Sequence, residues 1–279
     1  MGALNNKIDF TVIFAVNKAN PNGDPLDGNR PRVDYDGYGE VSDVCIKRKI
    51  RNRLQDMGEK IFVQSDERKD DGCNSLKERV DSCKELKAIK KDNDKFAAIA
   101  SAEWIDVRSF GQVFAFKGID VSVGVRGPVS VQTAVSVEPV DVTSMQITKS
   151  VNSVTGDKKS SDTMGTKHRV DFGVYKFSGS INVQLAEKTG FTEEDAEKIH
   201  EALKTLFEND ASSARPDGSM EILAVYWWKH NSKMGQYPSA KVHRSVKVEV
   251  VNEGRHIEDY SIKYTPLEGL EADVYHGIQ

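Results

Sequence analysis

Long apolar runs are missing from this 279-residue chain, and so is any start in which charged residues lead into an apolar core. A spanning helix needs about 18–20 consecutive apolar residues, so no membrane partner is expected and the cytoplasm is the expected location. Cysteine is scarce: Cys45, Cys73 and Cys83 are odd in number and form no CxxC pair. They exclude a closed disulfide framework and read as reduced thiols. The six histidines (His168, His200, His230, His243, His256 and His276) show no HxxxH or Cys–His zinc spacing, and neither a GxxxxGKS/T loop nor a GxSxG elbow occurs. No cofactor and no metal are expected on those grounds. Excess positive charge is absent too, since 39 Lys and Arg stand against 43 Asp and Glu for a net charge of −4. A polyanionic partner would have to be met by a local stripe and not by bulk charge.

One stretch supplies such a stripe. Val44 to Gln55 carries Lys47, Arg48, Lys49, Arg51 and Arg53 and no acid. Ile46, Ile50, Leu54 and Met57 recur at helical spacing, which predicts a buried face with Lys47, Arg48 and Arg51 fanning out opposite. Ser42 suits the N-cap, Asp43 the first turn and Gly58 the far end. A solvated face and a phosphate-holding face are both consistent with these charges. The segment before the helix, Asn17 to Glu40, is long and rich in glycine, proline and asparagine, and it carries Arg30 and Arg32. Connections of that kind are usually functional or disordered. Backbone amides, guanidinium groups and a helix N-terminus gathered at one sheet edge make a phosphate-binding surface.

Along the chain, Asp9 to Val16 is apolar on both faces, as a central strand should be. Glu59 to Glu103 turns charged and mostly helical, with weak amphipathic helices at Leu76 to Ile89 and near Phe96 to Trp104; Lys87, Lys90, Lys91 and Lys95 read as a solvated face. Strands are predicted at Asp106 to Phe116, with Arg108 and Ser109 where it begins, and at Asp120 to Val137, broken at Gly127-Pro128 beside Arg126 as a bend or bulge that brings backbone to the surface. Glu138 to Arg169 reads as a projecting hairpin turning at Gly156-Asp157, with a mobile tip from Asn152 to Asp162. Met145 and Met164 then stand on its arms among Lys149, Lys167, His168 and Arg169, where an apolar wedge between bases and an incidental methionine are both open readings. Val170 to Leu185 is a strand, Thr192 to Glu208 a helix with Asp195 in the capping-box place, and Met220 to Trp228 a buried strand. Of Trp227 and Trp228, one is expected in the core and one at a surface or interface; His200 reads as packed or solvated. Val242 to Val251 and Ile257 to Tyr264 close the chain as a strand pair. Strand, basic helix, strand, strand, helix, strand is the ferredoxin-like order of an α+β domain.

Five stretches together carry a resemblance: AVNKANPNGDPLDGNRPR (15 to 32), SDVCIKRKIR (42 to 51), DVRSFGQVFAF (106 to 116), VRGPVSVQTAVSVEP (125 to 139) and HRVDFGVYKFSGSI (168 to 181). In this order they resemble the RAMP-superfamily backbone subunit of the CRISPR Cascade surveillance complex, most closely its subtype I-C form. The resemblance implies a ferredoxin-like, modified RNA-recognition-motif palm with a helical fingers insertion and a β-hairpin thumb. Residues 1–58, 106–137 and 170–279 would form the palm, 59–105 the fingers and 138–169 the thumb.

The resemblance further implies copies arranged head to tail along one CRISPR RNA, each thumb kinking the guide so that the remaining bases pair with a target DNA strand. Large, small and crRNA-processing cap subunits would be the other partners. Lys47, Arg48 and Arg51 match the basic residues that hold guide phosphates. Asn20, Asn22, Arg30 and Arg32 fall in the RNA-facing loop; Arg108, Ser109 and Arg126 fall on the palm. Met145 and Met164, with Lys167, His168 and Arg169, fall on the thumb. No catalysis is implied for this subunit. The alternative is a metal-dependent endoribonuclease of the type III backbone kind using Asp24, Asp27, Asp34 or Asp36 of the same loop, residues that turn formation also explains. A monomeric RNA-recognition-motif binder is a third reading.

Overall fold

The computed structural model describes residues 2–89, 91–118, 121–151, 155 and 164–277. Its organising element is the opening strand, Ile8–Ala19, whose first nine residues are all buried. Apolar side chains on both pleat faces require cover on both sides, and both covers are present. Phe10, Val12, Phe14 and Val16 meet Ile46, Ile50 and Leu54 of the helix Asp43–Asp56 and Ala196, Ile199 and Leu203 of the helix Glu193–Lys204. On the opposite face Ile13 and Ala15 lie with Leu223, Tyr226 and Trp228 beneath the C-terminal ribbon Val246–Val250 and Tyr260–Tyr264.

The sheet is antiparallel throughout. Across it run Asp273–His276, Met220–Lys229, Ile8–Ala19, the long strand Met164–Ile181, Ala134–Pro139 and Tyr38–Val41. Val129–Val131 and Val142–Thr148 pair with two other stretches of the same long strand. Ile8–Ala19 lies between Met220–Lys229 and the long strand, and the long strand lies between Ile8–Ala19 and Ala134–Pro139. The register is informative at one end: Ala19 faces Val170, and from Val170 outward the long strand has Val142–Thr148 as its partner, down to Met164 opposite Thr148. The hairpin therefore leaves the sheet where the opening strand ends. Its tip, Asn152 to Asp162 with the Gly156-Asp157 turn, lies outside the described residues apart from Thr155, as does Lys90.

The helix Glu193–Lys204 carries the expected capping box: the Asp195 amide donates to Thr192 Oγ1 at 3.2 Å and the Thr192 amide to Asp195 Oδ2 at 2.9 Å. Other expectations are corrected. Asp106 to Phe116 is not one strand. Ile105–Phe110 is a helix and only Gly111–Phe114 extends, the change of direction being taken by Gly111 at φ +82°. Gly127 marks a close approach of backbones and not a surface bulge, since a Cβ there would lie 2.2 Å from the Ser109 carbonyl oxygen. Trp227 and Trp228 are both buried, because both faces of their strand are covered. Trp227 stacks on Phe10 and on His200, and Trp228 donates to Tyr264 Oη at 3.2 Å. The charged insertion also has a core of its own, built from Phe62, Phe96, Trp104 and Phe114 with ring centroids about 5 Å apart. No single helix there shows a wide apolar face because the aromatic residues come from separate segments.

Asp9 is a fully buried carboxylate on the opening strand. His230 Nε2 lies 2.8 Å from it and Lys7 Nζ 2.9 Å, with His243 Nε2 at 3.5 Å. Because His230 Nδ1 accepts the Gln236 amide at 3.0 Å, its proton sits on Nε2 and is donated to Asp9. Burial alone would raise the pKa of Asp9, but the bonds from His230, His243, Ser239 and Lys7 outweigh it and hold the carboxyl well below the ordinary 3.8. A depressed folded value means stability that is present above pH 3.8 and is lost as pH falls below it. Urea titrations from about pH 5 downward should show stability falling with acid, with a shallower slope in Asp9→Asn; identical slopes would contradict this assignment.

Candidate nucleic-acid interface

The loop leaving the opening strand is held by its own polar side chains. Asn20 is buried and its Nδ2 donates to the Asn29 carbonyl at 2.6 Å. Asn22 Oδ1 accepts from both the amide and the hydroxyl of Ser42 at 2.9 Å, so it seats the residue that caps the basic helix. Asp24 accepts the Leu26 amide at 3.0 Å and pairs with Arg32 at 3.3 Å. Asp34 accepts the amides of Asp36 and Tyr38 at 2.9 and 2.8 Å. These are side chain to backbone turns of the kind Asp and Asn favour. Among the described residues no three His, Cys, Asp or Glu side chains are grouped so as to hold a metal ion.

The loop docks on the base of the hairpin. Arg30 Nη1 donates to Ser144 Oγ at 2.8 Å, and Ser144 Oγ lies 2.8 Å from His168 Nδ1. Guanidinium only donates, so Ser144 Oγ accepts from Arg30 and keeps both a proton and a second lone pair for the His168 ring, whichever tautomer that ring holds. Arg30, Ser144 and His168 thus form a chain joining loop to both hairpin arms. Nearby, Arg169 pairs with Asp171 at 3.3 Å and Thr143 donates to the same carboxylate at 2.6 Å. Lys167 faces Met145 across the arms. Met164 is 55 % exposed at the outermost described pair, whereas Met145 is half-buried. Arg126 is exposed at the end of Val123–Arg126.

The basic helix departs from expectation in where its charge goes. Lys49 is buried against Asp210, and Arg53 donates to Thr205 and Glu208. Arg51 was expected on an open face with Lys47 and Arg48. Its side chain is instead only 13 % exposed, with Nε 2.9 Å from Asp106 and the guanidinium over the Phe110 ring. Arg48 donates to the Val63 carbonyl, and burial lowers its pKa, with the Arg51 charge adding to the effect. Lys47 pairs with Asp43 one turn earlier at 2.9 Å, a half-buried contact between helix neighbours of small energetic weight. Arg48 and Arg51 turn toward the insertion and Lys49 and Arg53 toward the end of the helix Glu193–Lys204, so four of the five cations have an acidic partner within the chain.

Arg108 and Ser109 are likewise internal. Arg108 forks onto Asp195 at 2.7 and 3.0 Å, joining the insertion to the capping box, and Ser109 is fully buried. Sequence reasoning missed Asp106 as a partner. It is fully buried, and its carboxylate accepts Phe62 N at 2.7 Å, Val63 N at 3.1 Å and Arg51 Nε at 2.9 Å. A lone acid at the head of an apolar stretch was its only signal.

The family described as CRISPR-associated protein Cas7 matches residues 6–265. A CRISPR-associated protein Cas7 from Haloferax volcanii is 25% identical over 241 residues, covering 79% of this chain and 69% of the relative. Among solved structures, a chain of a CRISPR RNA-guided surveillance complex, pre-nicking, superposes with a TM-score of 0.52 at 17% identity. That match covers 80% of this chain and 75% of the other, and shows likeness of fold.

Replacing Asp106 by Ala leaves Arg51 without its counter-charge and two buried amides without an acceptor. Removing one partner of such a pair costs about 3–5 kcal/mol. Urea unfolding of Asp106→Ala should show a loss of that size, and a loss below about 1 kcal/mol would refute the role given to Asp106.

Proposed function

This chain belongs to the CRISPR-associated Cas7 family, and on that premise we propose that it is a non-catalytic backbone subunit of a Cascade surveillance complex of subtype I-C. It binds CRISPR RNA, polymerises head to tail along it, and presents the guide for pairing with a target DNA strand. Large, small and crRNA-processing cap subunits complete the assembly. On this reading the sheet with its two helices is a ferredoxin-like RAMP palm, the insertion the fingers and the hairpin the thumb.

The observation that carries the reading is the Arg30–Ser144–His168 chain, which fixes a polar, amide-rich loop against the base of a projecting hairpin at one sheet edge. A strand of RNA laid from that edge along the sheet meets Arg30 and Arg32 from the loop, Lys167, His168 and Arg169 from the thumb, Lys47 and Arg48 from the helix and, toward the other end of the long strand, Arg126 just before Val129–Val131. Phosphate contacts of this sort position a strand without reading its sequence. Met164, the more exposed methionine, is the wedge. Asn20, Asn22, Arg51, Arg108 and Ser109 act one step back, holding the loop, the helix and the insertion in place. Asp24 and Asp34, engaged in turns, support the loop in preference to nuclease chemistry.

The division between contact and framework residues is open to measurement. In fluorescence titrations of a labelled single-stranded RNA, Lys47→Ala combined with Arg126→Ala should flatten the dependence of log affinity on log salt by about 0.7 for each lost phosphate contact. Arg51→Ala should lower thermal stability while leaving that slope unchanged. An unaltered slope in the double variant would count against the interface as drawn.

A further inference from the structure

A second groove lies on the other face of the sheet, away from the loop and the hairpin. It has a volume of about 550 Å³ and runs between Ala134–Pro139 and the start of the C-terminal ribbon. Its floor is apolar, formed by Val135, Val137 and Val248, and Val135 is 38 % exposed. Its rim is cationic. Arg244 and Lys247 are exposed there, and Lys176 reaches up from the long strand.

The charge on this rim is not balanced locally. Lys176 Nζ donates to the carbonyls of His243, at 3.1 Å, and Val246. Carbonyl dipoles satisfy its protons but cancel none of its charge, and burial disfavours the ammonium accordingly. Among the described residues Arg244, Lys247 and Lys176 form no salt bridge. The one acid of the lining, Glu249, is engaged chiefly by Lys263, which holds its carboxyl below the usual range with a smaller contribution from Lys247, so it offsets the rim only in part. Three cations therefore stand over an apolar floor in a chain whose net charge is −4.

We propose that this groove binds the phosphodiester backbone of a nucleic-acid single strand other than the guide, with Arg244, Lys247 and Lys176 on phosphates and Val135, Val137 and Val248 beneath bases or sugars. A positively charged groove that tracks the backbone is the sequence-independent half of a single-strand site; the aromatic stacking platform that usually completes it is replaced here by valines. An acidic protein segment would use the cations but has less need of a floor that is aliphatic along its length.

The test separates this groove from the guide surface. Two double variants of the full chain, Arg244→Glu/Lys247→Glu and Lys47→Glu/Arg126→Glu, are each titrated with labelled oligouridylate RNA, and then, with the guide surface filled by one equivalent of that RNA unlabelled, with labelled oligothymidylate. Arg244→Glu/Lys247→Glu should weaken oligothymidylate binding at least about tenfold and reduce its salt slope by about 1.4, two contacts' worth, while leaving RNA binding unchanged. Lys47→Glu/Arg126→Glu should do the reverse, so its failure would strike the guide surface and not the groove. Arg244→Gln/Lys247→Gln, at solvent-exposed positions, should melt as the native chain does and lose oligothymidylate binding in the same direction. The proposal is overturned if oligothymidylate binding to the RNA-loaded chain is absent at low salt or indifferent to these charges. It is equally overturned if polyglutamate competes for the groove while oligothymidylate does not.

Discussion

The pairing register of the opening strand with the long strand is the constraint on which the rest depends. Because Ile8–Ala19 is buried on both faces, a slip of one residue would exchange the two apolar sets, so its alignment is strongly specified. That alignment ends the pairing at Ala19 opposite Val170. The chain then has to leave the sheet as a polar loop on one side, while the long strand continues outward as a hairpin arm on the other. Loop and hairpin meet because the core places them at the same sheet edge, and Arg30 and His168 share one serine there.

A second theme is how little of the basic helix's charge is left for a partner. An acidic chain that needs a local positive surface has to place its cations with care, yet Lys49, Arg51 and Arg53 are all committed to Asp210, Asp106 and Glu208. The buried pair of Arg51 and Asp106 also closes the amides of Phe62 and Val63, which fastens the insertion to the basic helix. Buried pairs of this type are weak sources of net stability and strong sources of register. The consequence for function is that the positive surface is assembled from several elements, each contributing one or two cations.

Much of this architecture could be read from local pattern. The double apolar face of Asp9 to Val16, the Thr192–Asp195 capping box, the alternating hairpin arms and the Ser42 cap all depend on residues close in sequence, and all appear in the fold. What could not be read depends on distant partners. Arg51 and Asp106 are 55 residues apart, and Arg108 and Asp195 are 87 apart, so neither pair shows in a window of any helix or strand. The segment from Asp106 was misread because its alternation of apolar residues fits a strand. The helix is selected by Asp106 bonding to backbone elsewhere and by the left-handed Gly111. One of Trp227 and Trp228 looked available to a surface because the ribbon that covers the Trp228 face comes later in the chain.

The account turns on successive copies sharing one strand of RNA at this sheet edge. Native mass spectrometry of the chain co-expressed with a repeat-spacer RNA measures that directly. It should give a ladder of species, each holding one RNA and an increasing whole number of chains. A single chain per RNA at saturating protein, with no higher species, would contradict it.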